Sequence, residues 1–232
     1  MSKQSISRAS QLLFGGAYLP AAQAANERTG VPFTPITKVS LGSPAVSVTT
    51  AAAAAQAVAG AANLTLNGTL ASGGVVTFLT ARNIQAVSTG AGDTTQTITL
   101  TGTDIWGMPV VETVALNGVT VVKGLKAFKT ITRIAVSAAC AGNVSVGNST
   151  ALGLPYMLTT KSDLMQTWFN QIVEATLPTV VVGVTTTATA TTGDPRGTIL
   201  LNSTLDGSAV SIYGVFDPTS TESLFGVAQF AG

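Results

Sequence analysis

Residues 96–147 read QTITLTGTDIWGMPVVETVALNGVTVVKGLKAFKTITRIAVSAACAGNVSVG. Thr97, Ile98, Thr99, Leu100 and Thr101 alternate polar and apolar, the period of a half-buried strand. Residues 110–116 are rich in β-branched side chains and lead into Asn117-Gly118, then Val119, Thr120, Val121 and Val122. An Asn-Gly pair between two such runs predicts a β-hairpin, because both central residues of a type I′ turn take positive φ. A further strand is predicted over residues 130–137, where Ile131, Arg133 and Ala135 alternate with Thr132, Ile134 and Val136. Val144, Ser145 and Val146 form another after the small-residue turn at 138–143. Five strand-like runs within about fifty residues predict an antiparallel β domain.

The pattern continues on both sides. Upstream, Leu64, Thr65 and Leu66 precede Asn67-Gly68, a second predicted hairpin turn. Residues 75–79 and 84–88 read as two strands, bounded by Gly73-Gly74 and by Gly90 to Asp93. The alanine-rich run at 51–59 favours helix intrinsically, but it is short and limited by Gly60, so helix, loop and strand edge all stay open. Downstream, Leu164, Met165, Trp168, Phe169, Ile172 and Val173 follow a helical stripe with Asp163 as N-cap. The same residues also suit an edge strand. Residues 179–192 predict one long strand or two, and 198–201, 209–215 and 224–230 three more. Gly193 to Gly197, Asp206-Gly207 and Asp217-Pro218 mark turns. Turn signals recurring about every ten residues point to a sandwich or barrel. The expected fold is an all-β, antiparallel β-sandwich or barrel-like domain over residues 41–232, divisible into blocks 41–160 and 161–232, with an extended N-terminal arm over residues 1–40.

The composition is unusual for a β domain. Of 232 residues only 9% are charged, and the mean hydropathy is +0.45, against roughly 25% charged in ordinary soluble proteins. No apolar run reaches the ~18 residues that span a bilayer as a helix, so no membrane partner is expected. So few charges imply either surface hidden against other subunits or a neutral, Thr- and Ser-rich hydrated surface. The net charge of +1 lacks the basic excess of a nucleic-acid-binding protein.

The arm has its own signals. Lys3 and Arg8 precede Leu12, Leu13 and Phe14, and Ala22-Gln23-Ala24 has the form of a signal-peptidase site. Gly15, Gly16 and Pro20 interrupt the apolar core, and an extended arm is the favoured reading. Pro32 and Pro35 disfavour helix. With no core of its own, the arm is expected to contact another chain, with packing along its own domain as the alternative.

Three segments resemble structural proteins of tailed-bacteriophage virions, most closely capsid decoration (cement) proteins: TGTDIWGMPVVETVALNG at 101–118, KAFKTITRIAVS at 126–137 and AGNVSVGNSTALGLPY at 141–156. Weaker likeness extends to Leu64 to Gly68 and to GDPRGT at 193–198, so the resemblance spans residues 60–232 and leaves the arm unmatched. It is a pattern of strands and turns without a catalytic signature. It implies a virion location on the capsid exterior, with the major capsid protein and further copies of the chain, as a dimer or trimer, for partners.

Catalytic signals are sparse. The chain has no histidine, which removes the commonest general base and transition-metal ligand. The single cysteine, Cys140, makes no intrachain disulfide and reads as a small buried apolar residue. There is no phosphate-binding glycine loop. Asp104 and Glu112 flank the turn Gly107-Met108-Pro109. A carboxylate pair can serve glycoside hydrolysis, but acids beside a turn read first as solvated. Asp93, Asp194, Asp206 and Asp217 sit in further turns without forming a calcium loop. No catalytic residue, metal or cofactor is expected.

The notable charge feature is Lys123, Lys126, Lys129 and Arg133, with no acid among them. They are candidates for docking on an acidic capsid surface, or for guarding a strand edge against pairing. Lys126 and Phe128 are read as facing opposite sides of their strand, Phe128 inward. Phe14 and Tyr18 on the arm complete the docking candidates. The expected function is a non-enzymatic virion component that bridges major capsid subunits. The alternative is a receptor- or glycan-binding fibre module with Trp106 and Trp168 as its platform, and a secreted β-sandwich enzyme ranks last.

Overall fold

The computed structural model describes residues 36–216 and 224–232. Their regular structure is β throughout, apart from one turn of 3-10 helix at Lys161–Asp163. The strands are β1 (Ile36–Gly42), β2 (Val48–Ala57), the two-residue β3 (Ala62–Asn63) and β4 (Ala71–Ser72), β5 (Val75–Ser88), β6 (Thr97–Thr103) and β7 (Pro109–Ala115). After them come β8 (Val122–Val136), β9 (Asn143–Gly153), β10 (Leu164–Phe169), β11 (Ile172–Val173), β12 (Thr179–Val182), β13 (Gly197–Leu200) and β14 (Val210–Val215).

They form two antiparallel sheets. The larger runs β12-β13-β9-β5-β8-β6-β7, with β2 added on β9, β3 on β8 and β4 on β5, and curls into a half-barrel. The smaller runs β1-β14-β10-β11. Strand alternation sorts side chains into two cores. One gathers Phe78, Ile84, Ile98, Leu100, Phe128, Val144 and Val146. The other gathers Val39, Leu41, Leu152, Leu154, Ile199 and Ile212. β9 serves both, through Val144 and Val146 at its start and Leu152 near its end. Each such side chain contributes about 1.5–3 kcal/mol by leaving water, so the cores hold the sheets together.

Tertiary context overrides several local readings. Residues 75–79 and 84–88 are one continuous strand, β5, whose register against β8 shifts between Thr77 and Arg82 and between Asn83 and Gln85. The alanine run lies in β2, where Ala51, Ala52 and Ala53 are buried and small side chains let the strand lie on β9. The helical stripe of residues 164–173 is β10, a turn and β11 instead. Asn170 and Gln171 take φ of 49° and 63°, the left-handed pair that closes a two-residue hairpin. Asn67-Gly68 closes no hairpin. It straps β2, with Asn67 Oδ1 accepting from the Ala54 N–H at 2.9 Å and the Gly68 N–H donating to the Ala52 carbonyl. Only residues 179–182 of the predicted 179–192 run are strand, and 224–230 is irregular. The end of that tail is still tied down, by the Val111 N–H donating to the Phe230 carbonyl at 2.7 Å.

The turn after β7 falls one residue later than the sequence predicts. Asn117 bridges Thr120, and Gly118-Val119 are the central pair. The flanking strands are not partners, because β6 pairs with both β7 and β8. Gly118 has φ of 57°, and a Cβ there would meet the Ala91 carbonyl oxygen at 2.5 Å. Gly118→Val should therefore cost more than about 1 kcal/mol, read as a lower urea midpoint at unchanged slope.

The arm is described only at its end. Residues 36–40 belong to β1, which pairs with β14 of its own chain, so the expected boundary at residue 40 falls inside a strand. Phe14, Tyr18, Pro32 and Pro35 lie outside the described residues, as does the predicted Asp217-Pro218 turn.

Candidate functional site

Asp104 and Glu112, expected to be solvated beside their turn, are not. Asp93, Asp104, Glu112 and Asp194 are all buried, and so are Lys126 and Arg196. Five of these six residues meet at one junction, where the β6–β7 turn, β8, β7 and the segment before β13 converge.

The β6–β7 turn is built on Asp104. Its Oδ1 accepts from the Trp106 and Met108 N–H groups at 2.8 and 2.9 Å, an Asx arrangement natural to a short carboxylate at a turn. Its Oδ2 lies 3.0 Å from Arg196 Nη2. Arg196 Nε donates to the Leu154 carbonyl at 3.1 Å, and its backbone N–H to Asp194 Oδ1 at 2.8 Å. Asp194 Oδ2 then accepts from the Ala127 N–H at 3.0 Å. The GDPRG stretch is thus a turn, but a buried one that joins the end of β9 to the β6–β7 turn and to β8.

β8 bulges here. Asn83 opposes Ala127 and Gln85 opposes Lys123, so residues 124–126 must find partners outside the ladder. Glu112 Oε1 accepts from the Leu125 and Lys126 N–H groups, and Asn83 Nδ2 donates to the Gly124 carbonyl at 2.6 Å. Gly124 leaves room for the carboxylate, since a Cβ there would lie 2.5 Å from Glu112 Oε2. Glu112 shares its face with Val110 and Val114 and pairs with the buried Leu100. That parity is the signal in the sequence that places it inside.

Lys126 and Phe128 lie on the same side of period two, and both are fully buried. The expectation that they face opposite ways is wrong for residues two apart in a strand. Among the described residues Lys126 Nζ has no hydrogen-bond partner, and it lies 5.6 Å from the centre of the Phe230 ring, a cation–π contact. Lys126 is therefore no docking residue.

Burial sets the protonation of this junction. It pushes Glu112 up to about 7, against the opposing pull of the Leu125 and Lys126 N–H groups and the Lys126 charge. It raises Asp194, with Arg196 and two N–H groups opposing. It lowers Lys126, with Glu112 and Asp194 opposing. Among the described residues no three histidine, acid or thiol groups are placed to hold a metal. The junction's bonds lock the β6–β7 turn, β7, β8 and the segment before β13 together.

A second buried acid acts alone. Asp93 accepts from Ser88 Oγ at 2.5 Å and from the Ala141 and Gly142 N–H groups at 2.7 and 3.0 Å, which hold its carboxyl below the usual range, the Ser88 bond most of all. It fastens the turn before β9. Cys140 in that turn is half-buried rather than buried, and burial still pushes its thiol up.

The surface carries the remaining candidates. Lys123 and Arg133 are exposed, and Lys129 is half-buried with Nζ donating to the Leu79 carbonyl at 2.7 Å. They are strung along the 15 residues of β8, so the cluster in sequence is a line in space. Trp106 is 49% exposed, with Nε1 bonded to the Pro155 carbonyl and its ring against Tyr156 and Phe225. Trp168 packs on Tyr213 in the other sheet. The two tryptophans thus belong to separate aromatic groups.

Comparison with family models, with curated proteins and with solved structures finds no match.

Proposed function

We propose that the protein is a virion structural component that decorates the outside of a capsid and reinforces it by bridging major capsid subunits. The observation that supports this is the placement of charge. Seven charged side chains are buried among the described residues: the six above and Arg82. The described surface is left with Lys38, Lys123, Lys129, Arg133, Lys161, Asp163, Glu174 and Asp206. The same surface exposes Leu79, Met108, Leu125, Met165 and Ile172. A body this poor in surface charge and dotted with apolar side chains suits permanent contact with other subunits. Each copy contributes a modest contact, and the repeated lattice multiplies it. The resemblance of residues 101–118, 126–137 and 141–156 to decoration proteins points the same way.

The test is re-binding of purified protein to particles stripped of it, followed by imaging. Copies spread over the whole shell support decoration. Copies confined to one vertex or the tail support the fibre reading, and no binding overturns both. Attachment should weaken as salt rises, since exposed charges are screened over about 8 Å at physiological ionic strength. Changing Lys123, Lys129 and Arg133 together to Gln should slow attachment about tenfold at low salt and alter release much less. Equal rates for the two proteins would make these residues edge guards only.

A further inference from the structure

Among the described residues, the first strand leaves one edge open. β1 is the terminal strand of the smaller sheet, paired with β14 on one side only. At its far end the Leu41 carbonyl accepts from Thr80 Oγ1 at 2.7 Å. Among the described residues, no backbone group of residues 37–40 bonds to backbone outside the β1–β14 ladder. Beside this edge lies a groove of about 480 Å³, lined by residues 37–40 with Pro155, Tyr156, Phe216 and Leu224. Lys38, the one charged residue of β1, sits over the Tyr213 ring at 5.7 Å. An open edge with an apolar wall beside it is the arrangement that accepts an added strand, backbone bonds giving affinity and wall pockets taking alternate side chains.

We propose that the groove is the seat of the N-terminal segment of a second copy of this chain, which adds a strand to β1. The segment enters β1 at Ile36 and comprises residues 1–35, a reach of about 115 Å when extended. From Ala9 to Asn26 it carries no charge and includes Leu12, Leu13, Phe14, Tyr18 and Leu19, which suit the apolar wall. For the residues immediately before β1 to fold back onto its edge as a hairpin, a tight turn would have to form within residues 31–35, VPFTP. Pro32 and Pro35 there have no N–H and cannot take positive φ, which the short hairpin turns need. Val31 and Thr34, each before a proline, favour extended backbone. The sequence next to β1 thus disfavours a hairpin back onto its own edge and favours a neighbour's edge as the seat. This deepens the assembly role proposed above and rests on it for the purpose of the exchange.

The experiment uses the full chain with Cys140→Ala. A Thr37→Cys protein is mixed under oxidising conditions with Leu12→Cys, Phe14→Cys or Tyr18→Cys protein. At least one mixture should give a disulfide-linked heterodimer, and deleting residues 1–33 should raise the self-association Kd at least about tenfold in sedimentation. A cross-link that forms only within one chain carrying both cysteines would overturn the proposal in favour of self-docking. No cross-link, with association unchanged by the deletion, would overturn it outright. No particle is involved, so the outcomes separate cleanly. Cross-linking by a protein that binds no particles keeps the seat and removes the decoration reading, and particle binding without cross-linking does the reverse.

Discussion

Replacing Arg196 by Met should lower stability by about 3–5 kcal/mol, because it strands a buried carboxylate without its partner. Asp104 is fully buried, and the Arg196 guanidinium 3.0 Å away is its only cation in ion-pair contact among the described residues. The same change frees the Leu154 carbonyl from the Nε–H and leaves Asp194 without the charge that opposes its burial. In a chain of this size the loss corresponds to a fall in melting temperature of about 10 °C. The informative comparison is with Arg196→Met combined with Asp104→Leu. Removing both charges should recover part of the loss, since a buried pair is worth little beyond a packed apolar pair. Recovery will be incomplete, because Asp104 Oδ1 also holds the Trp106 and Met108 N–H groups of the β6–β7 turn. Asp104→Asn keeps that cap while removing the charge, and so separates the two effects. If Arg196→Met costs less than about 1 kcal/mol, the pair behaves like a solvated surface bridge, and the junction is not the lock described here.

How much of this was legible in the sequence depended on the range of the interaction. Strands β6 and β14 announce themselves by alternation alone, since each has one face on a core. The turn at Gly118 was legible within a residue, because positive φ is a local demand. What it joins was not legible: β6 comes between β7 and β8 only through pairing that no local pattern records. The stripe of Leu164, Met165, Trp168, Phe169, Ile172 and Val173 fits a helix and a strand–turn–strand equally well, and the choice rests on Asn170 and Gln171 adopting positive φ. The buried junction was the least legible part. A carboxylate beside a turn is ordinarily solvated. Glu112 is not, because a bulge in β8 supplies two N–H groups, and Asp104 is not, because Arg196 arrives from ninety-two positions further along the chain. The basic cluster shows the same limit in reverse, since the interior claims Lys126 and leaves Lys123, Lys129 and Arg133 spread along the strand.

Glu112 makes the stability of this fold fall as pH rises through neutrality. Its ordinary value is 4.5 and its folded value about 7, so between these limits the folded chain holds a proton that the unfolded chain has lost. The stabilisation from this group is complete below 4.5 and is lost as pH climbs through 7. The two-and-a-half-unit difference corresponds to a change on the order of 3 kcal/mol. Lys126 acts with the opposite sign, since its folded value is lowered: its contribution is present at high pH and lost as pH falls through the folded value. Asp194, raised by burial, adds to the Glu112 trend, and Arg196 and Asp104 complete the charges at the junction. Glu112→Gln isolates the first term. It keeps an oxygen for the Leu125 and Lys126 N–H groups but cannot ionise, so its urea midpoint relative to the parent's should climb as pH rises from 5 to 8. Lys126→Met removes the cation that opposes burial at Glu112, so the Glu112 carboxyl should be pushed further up and the decline, still beginning near 4.5, should extend further above 7. Urea midpoints at half-unit pH steps measure all three proteins. If the parent and Glu112→Gln curves run parallel across this range, Glu112 is ionised in the fold at neutrality and the carboxylate is far better solvated than its position against Gly124 allows.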